Sequence, residues 1–139
     1  MTNEVTLSWK KGMLYESEGP GGKLFIDGAR KIGGQDKGLR PKALMLSALA
    51  GCAGIDIALL IKKMRIELSD LNIAVKGTLG STEPKVYEKV DIVFKFYGED
   101  LDKKKIEKAV ALTVDKYCGV IKMFESFSEV SNRIEYLKP

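Results

Sequence analysis

Few residues in this sequence could carry chemistry. It has two cysteines, Cys52 and Cys118, and no histidine. That absence removes Ser-His-Asp and Cys-His dyads, histidine proton shuttles and histidine zinc sites together. Two cysteines alone cannot close a four-ligand zinc site, so no metal and no bound cofactor is expected. Any reaction falls to Cys, Lys, Arg, Tyr, Asp or Glu. A thiolate is the strongest nucleophile among these, and its formation depends on nearby positive charge or a helix N-terminus. Cys52 is bracketed by Gly51 and Gly54 with no basic residue beside it, whereas Cys118 lies at a break between two helical patterns. Free cysteine is also a common buried hydrophobe. The residues by themselves leave a redox reading and a packing reading open.

The surrounding composition narrows the context. With 45% hydrophobic and 30% charged residues, the 139-residue chain reads as one globular domain, residues 1–139. The net charge of +4 is mild. Lysines interleave with acids almost everywhere, the pattern of a solvated surface, and no nucleic-acid partner is expected. "MTNEVTLSWKKG" has no apolar core of a signal peptide. With only two, widely separated cysteines, this points to reduced thiols in the cytoplasm.

The elements that must position the cysteines emerge from periodicity. "EVTLSWKKGMLYESEGPGGKLFID" alternates on both sides of Lys11-Gly12, a hairpin signal, and continues through Gly19–Gly22 into a third strand over Lys23–Asp27. Residues 28–40, rich in Gly and Lys, read as a loop that delivers Pro41 as the first residue of a helix running to about Met64. Strands are predicted near Leu71–Leu79 and over Val86–Phe96. Helical spacing comes next over Leu101–Tyr117, then a short helix from Cys118 to about Phe124, and a closing strand near Val130–Leu137. The order is βββ-α-ββ-αα-β, an α+β domain.

The segment "ALMLSALAGCAGIDIALLI", residues 43–61, is long enough to cross a bilayer. Asp56 in its C-terminal third costs roughly 2–3 kcal/mol on insertion scales, and the remaining segments are short and amphipathic, so no membrane association is expected. A helix apolar all round must be covered all round. One sheet covers one face, so a second copy of the chain is expected on the other. Gly51 and Gly54 suggest close approach by another backbone. Asp56, one turn after Cys52, is expected to be structural and to need an amide, hydroxyl or cation partner.

Two motifs carry a resemblance. "GLRPKALMLSALAGCAGIDIALLIKKM" resembles the central helix of the OsmC/Ohr family of small peroxidases, in which a Gly-x-x-Pro opening leads to a cysteine eleven residues after the proline. Gly38, Pro41 and Cys52 have that spacing here. "DKYCGVIKMFES" resembles the family's second cysteine motif, just before the last strand, and "GCAGIDIALLIKKMRI" looks most like the YhfA-like OsmC branch. The resemblance implies an OsmC-like fold, an intertwined homodimer with a long buried central helix, and reduction of organic hydroperoxides in oxidative stress defence. It makes Cys52 peroxidatic and Cys118 resolving, joined in a Cys52–Cys118 disulfide that an external dithiol of the lipoyl type would reopen. The Glu that Ohr-type enzymes have after the proline is replaced by Lys42 and Ala43. The early strands lack the family's thiolate-holding arginine, which leaves Arg30 and Arg40 in the loop before the helix; Arg40, beside Pro41, is favoured for that role, against the plain reading of an exposed loop cation. The alternative is a non-catalytic family member that binds a small hydrophobic ligand at the dimer interface.

Overall fold

A computed structural model describes all residues, Met1–Pro139. Its strands are β1 (Thr6–Lys11), β2 (Leu14–Gly19), β3 (Gly22–Ile26), β4 (Asp70–Leu79), β5 (Tyr87–Tyr97) and β6 (Glu129–Leu137). Its helices are α1 (Pro41–Met64), α2 (Lys103–Leu112) and α3 (Gly119–Glu125). This is the βββ-α-ββ-αα-β order read from the sequence. The chain groups into two compact units, Met1–Met45 and Leu46–Pro139.

In the first unit β1, β2 and β3 form an antiparallel meander. Gly12 turns the first hairpin with φ +60°, a conformation that disfavours side chains, and its carbonyl accepts a hydrogen bond from the Trp9 indole at 2.9 Å. No apolar side chain of this unit is buried; Trp9 is 66% exposed, and Leu7 and Phe25 are exposed too. Its one buried residue is Asp27. The Asp27 carboxylate accepts from the backbone amides of Gly28, Gln35 and Lys37, which curls residues 28–37 around it. Leu39 then bridges back to Ile26 on β3, and Gly38 lies so close that an added Cβ would meet the Phe25 carbonyl carbon at 2.6 Å.

The second unit carries the core. β5 is its central strand, antiparallel to β4 and parallel to β6. The parallel pairing requires a crossover, which α2 and α3 supply. Val90, Ile92, Phe94 and Phe96 alternate along β5 and are buried together with Ile106, Ala109 and Val110 of α2 and Ile121 and Phe124 of α3. Leu49, Ala53, Ile57 and Leu60 join the same core from α1, at the three- and four-residue spacing of one helix face.

The helices meet one expectation, leave one to a second chain and depart from a third. α1 is 24 residues long with a mean hydropathy of 2.2 over its most apolar window, enough to span a bilayer by length and composition. Within one chain it is buried on one face only: Ile55 is 67% and Leu59 63% exposed. One sheet and two short helices cover one side of a helix that is apolar on both. Within one chain no backbone approaches either glycine. An added Cβ on Gly51 would meet nothing within 4 Å, and on Gly54 only the Ile73 side chain at 3.4 Å. The helix expected over Leu101–Tyr117 ends as an α-helix at Leu112 and continues as a wider π-helical turn, Thr113–Tyr117. The Cys118 amide closes that turn on the Thr113 carbonyl at 2.9 Å. An extra residue in the turn rotates the chain beyond it, and Cys118 is thereby carried into the core.

Candidate active site

Cys52 sits midway along α1, half-buried, next in sequence to the fully buried Ala53. Cys118 is the residue before α3, extended at φ −77° and ψ 100°, and is 1% exposed. A helix centre and a helix start therefore bring together two residues far apart in sequence. Their sulfurs and a carboxylate oxygen of Asp56 all lie within 4.8 Å of one another. Both cysteines are free thiols in this structure.

Burial pushes the Cys118 thiol up, to about 11 from the usual 9.0. The backbone amides of Ile121 and Val120 in the first turn of α3 pull the other way, while the neighbouring Cys52 sulfur adds to the rise. A thiol so placed stays protonated at neutral pH. The two cysteines thus differ in kind: Cys118 is enclosed and protonated, and Cys52 has a path to solvent. That difference suits a pair in which Cys52 meets a small reagent first and Cys118 attacks it afterwards.

Asp56 departs from expectation. It lies four residues after Cys52, on the same face of α1, and its buried Oδ2 has no hydrogen-bond partner in the chain. The anticipated amide, hydroxyl or cation is missing, and two thiols are its polar neighbours instead. Sequence reasoning placed Asp56 on the cysteine face but did not foresee that Cys118 would complete the group. The four-residue spacing was the available signal.

Arg40 is engaged within its own loop. It pairs with the Asp36 carboxylate and donates to the Gly38 carbonyl at 3.0 Å and the Asp27 carbonyl at 3.5 Å. Burial acts to raise the Asp27 pKa, but its three backbone amides and the Arg40 charge outweigh that and hold it below 3.8. Arg40 and Asp27 together brace residues 27–40. Sequence reading missed Asp27, whose only signal is an Asp-Gly pair at the end of a strand.

Two clefts of the second unit lie away from the cysteines. A cleft of about 330 Å³ is lined by Gly98, Leu101, Lys103 and Tyr136, and another of about 320 Å³ by Val75, Asp91 and Arg133; neither includes a cysteine.

Known proteins are similar to this chain in sequence and fold. The sequence model of the family described as OsmC-like protein matches residues 34–131, a span that contains both cysteines. Protein YhfA of Escherichia coli is 25% identical over 133 residues, covering 95% of this chain and 96% of its own. A crystal structure of a hypothetical protein from Aquifex aeolicus has a TM-score of 0.81 at 28% identity, covering 98% of each chain. The organic hydroperoxide resistance protein OhrB of Bacillus subtilis has a TM-score of 0.67 at 22% identity, covering 97% of this chain and 98% of its own, a likeness of fold.

Proposed function

The chain belongs to the OsmC-like family, and from that premise we propose that it is a cysteine-based peroxidase acting on organic hydroperoxides. One observation carries the reading: Cys52 and Cys118 face each other with their sulfurs within 4.8 Å, one half-buried and the other enclosed. In the first step the Cys52 thiolate attacks the terminal oxygen of ROOH. The O–O bond breaks, ROH leaves with a proton from solvent, and Cys52 becomes a sulfenic acid. In the second, the Cys118 sulfur attacks the Cys52 sulfur, and the Cys118 proton leaves with the sulfenic hydroxyl as water. The sulfurs then close to a disulfide bond of about 2.05 Å. An external dithiol of the lipoyl type takes up the disulfide by exchange and restores both thiols.

Residues 1–139 act as one functional domain in this reading, in the reducing cytoplasm, where free thiols persist. The protein works as a homodimer, supported by the exposed Ile55 and Leu59 on α1 and by the uncovered apolar side chains of β1–β3. Arg40, tied to Asp36, Gly38 and Asp27, has a bracing task in its loop. The test is a titration of the reduced, chelator-treated protein with cumene hydroperoxide, followed by thiol counting. Two thiols should disappear per equivalent of peroxide and return with a dithiol. Thiols that stay intact in excess peroxide would refute the reading and favour the non-catalytic, ligand-binding alternative.

A further inference from the structure

The group formed by Cys52, Asp56 and Cys118 has a property that peroxide chemistry does not use. Its three donor atoms, two sulfurs and one carboxylate oxygen, lie within 4.8 Å of one another. Asp56 is half-buried as a residue, but its Oδ2 is buried and hydrogen-bonds to neither thiol. An unpaired carboxylate oxygen in a protein interior is costly, and packing alone gives no return for it. A cation held by all three donors would supply that return. We propose that Cys52, Asp56 and Cys118 form a binding site for a divalent borderline-soft cation, zinc, with a fourth position open to water.

The donor set and its geometry both support this site. Two thiolates with one carboxylate suit zinc, whereas magnesium and calcium take oxygen-only sets. Cys52 and Asp56 stand four residues apart on α1, a spacing that puts two side chains on one helix face and lets them share a metal. Cys118, fixed by the π-helical turn and the start of α3, contributes the third donor. Tetrahedral zinc bonds of about 2.3 Å to sulfur and 2.0–2.2 Å to oxygen separate ligand atoms by about 3.5–3.8 Å, so the group needs to contract by no more than about 1.3 Å. Three protein ligands and one open position is the pattern of an exchangeable or reactive zinc, not a closed structural one. Counting only Cys and His in the sequence excludes a closed site, and the carboxylate one turn along α1 makes an open one.

Loading is balanced by protons. Zn²⁺ displaces one proton from each thiol, two are released to solvent, and Asp56 binds as the carboxylate. The same two sulfurs cannot hold zinc and be joined in a disulfide, so the two states exclude each other. The inference stands on the three donors and does not depend on the peroxidase reading.

The test uses the reduced full-length protein without peroxide, in chelator-treated, oxygen-free buffer, titrated with Co²⁺ and then Zn²⁺. One Co²⁺ per chain should bind with a near-ultraviolet thiolate-to-cobalt charge-transfer band and the visible bands of four-coordinate cobalt, and Zn²⁺ should abolish both. Cys52→Ser and Cys118→Ser should each remove about half of the charge-transfer intensity or more, one of two thiolates being lost. Asp56→Asn should weaken Co²⁺ and Zn²⁺ binding by about tenfold or more, at unchanged far-ultraviolet circular dichroism. Asp56→Glu should retain part of that affinity and supplies the comparison if the Asn variant fails to fold. No charge-transfer band at one equivalent would overturn the site, as would equal affinity in the wild type and the folded Asp56 variants. Since no peroxide is present, neither result bears on hydroperoxide reduction.

Discussion

The Cys52 and Cys118 sulfurs lie within 4.8 Å of each other, although one belongs to the middle of a long helix and the other to the entry of a short one. Replacing either cysteine separates their roles. After treatment with cumene hydroperoxide, Cys118→Ser is expected to carry a sulfenic acid at Cys52 that proceeds to sulfinic and sulfonic forms. Cys52→Ser is expected to leave Cys118 unmodified at neutral pH, because its thiol is enclosed and protonated. Mass spectrometry of the two variants and the wild type checks this, and equal oxidation of both variants would contradict the assignment.

The Cys118 thiol also leaves a mark on stability. It ionises near 11 in the folded chain, against about 9.0 for an ordinary cysteine. Between these values the folded state keeps a proton that the unfolded state has lost. The stability tied to it is complete below pH 9 and falls as pH rises from about 9 to about 11. Urea unfolding across that range should show the decline in the reduced wild type and a smaller one in Cys118→Ser. Alkylation of Cys118 in Cys52→Ala should begin at lower pH than in the wild type, since Cys52 contributes to the upward shift.

Asp27 acts at the acid end with the opposite sign. Its folded pKa lies below the ordinary 3.8, so its contribution is present above that value and is lost as pH falls through the folded pKa. Asp27→Ala leaves the amides of Gly28, Gln35 and Lys37 without their acceptor. The variant should have a lower Tm at pH 7, with the difference from wild type shrinking below about pH 4. A difference unchanged down to pH 2 would show that the carboxylate charge is not what holds the loop.

Gly38 tests how closely the loop lies against β3. A Cβ there would stand 2.6 Å from the Phe25 carbonyl carbon, and backbone cannot yield as a flexible side chain does. Gly38→Ala is expected to destabilise by about 1–3 kcal/mol, the range for overpacking. Gly51→Ala, where nothing lies within 4 Å, should stabilise an isolated chain by roughly 0.5–1 kcal/mol through helix propensity. Should Gly51→Ala destabilise instead, a second chain packs against that position.

The exposed side of α1 carries the dimer prediction. Ile55 and Leu59 are four residues apart and more than half exposed. Leu59→Lys should convert a dimer into a monomer of 15.4 kDa in sedimentation at micromolar concentration. A wild type that already sediments as a monomer would refute the homodimer.

The element order was legible because each segment declares its period: alternation in β2 and β5, an apolar run behind Pro41, a break at Cys118. The limits of α1 at Pro41 and Met64 were readable from a proline and a run of basic residues. The features that escaped depend on three dimensions. The π-helical turn begins at Thr113, buried at 0% exposure, and no local pattern in "TVDKY" announces it. The meeting of Asp56 with Cys118 requires the crossover between β5 and β6, which no local pattern encodes. Arg40 was legible as a candidate cation near the helix start, but its partners Asp36 and the Gly38 carbonyl were not, because they meet it only when the loop curls around Asp27.

The first unit bears on how the chain is made. Its three strands are made before the second unit, yet Asp27 is the one side chain they and their loop enclose. Three antiparallel strands without a buried apolar face lack what holds an independent sheet together. Synthesis would normally let the N-terminal part settle first. Here that part has nothing of its own to settle around, so Met1–Met45 must wait for a surface supplied from elsewhere. During synthesis this unit is therefore open to proteases and chaperones, with Trp9 and Phe25 in view until that surface arrives.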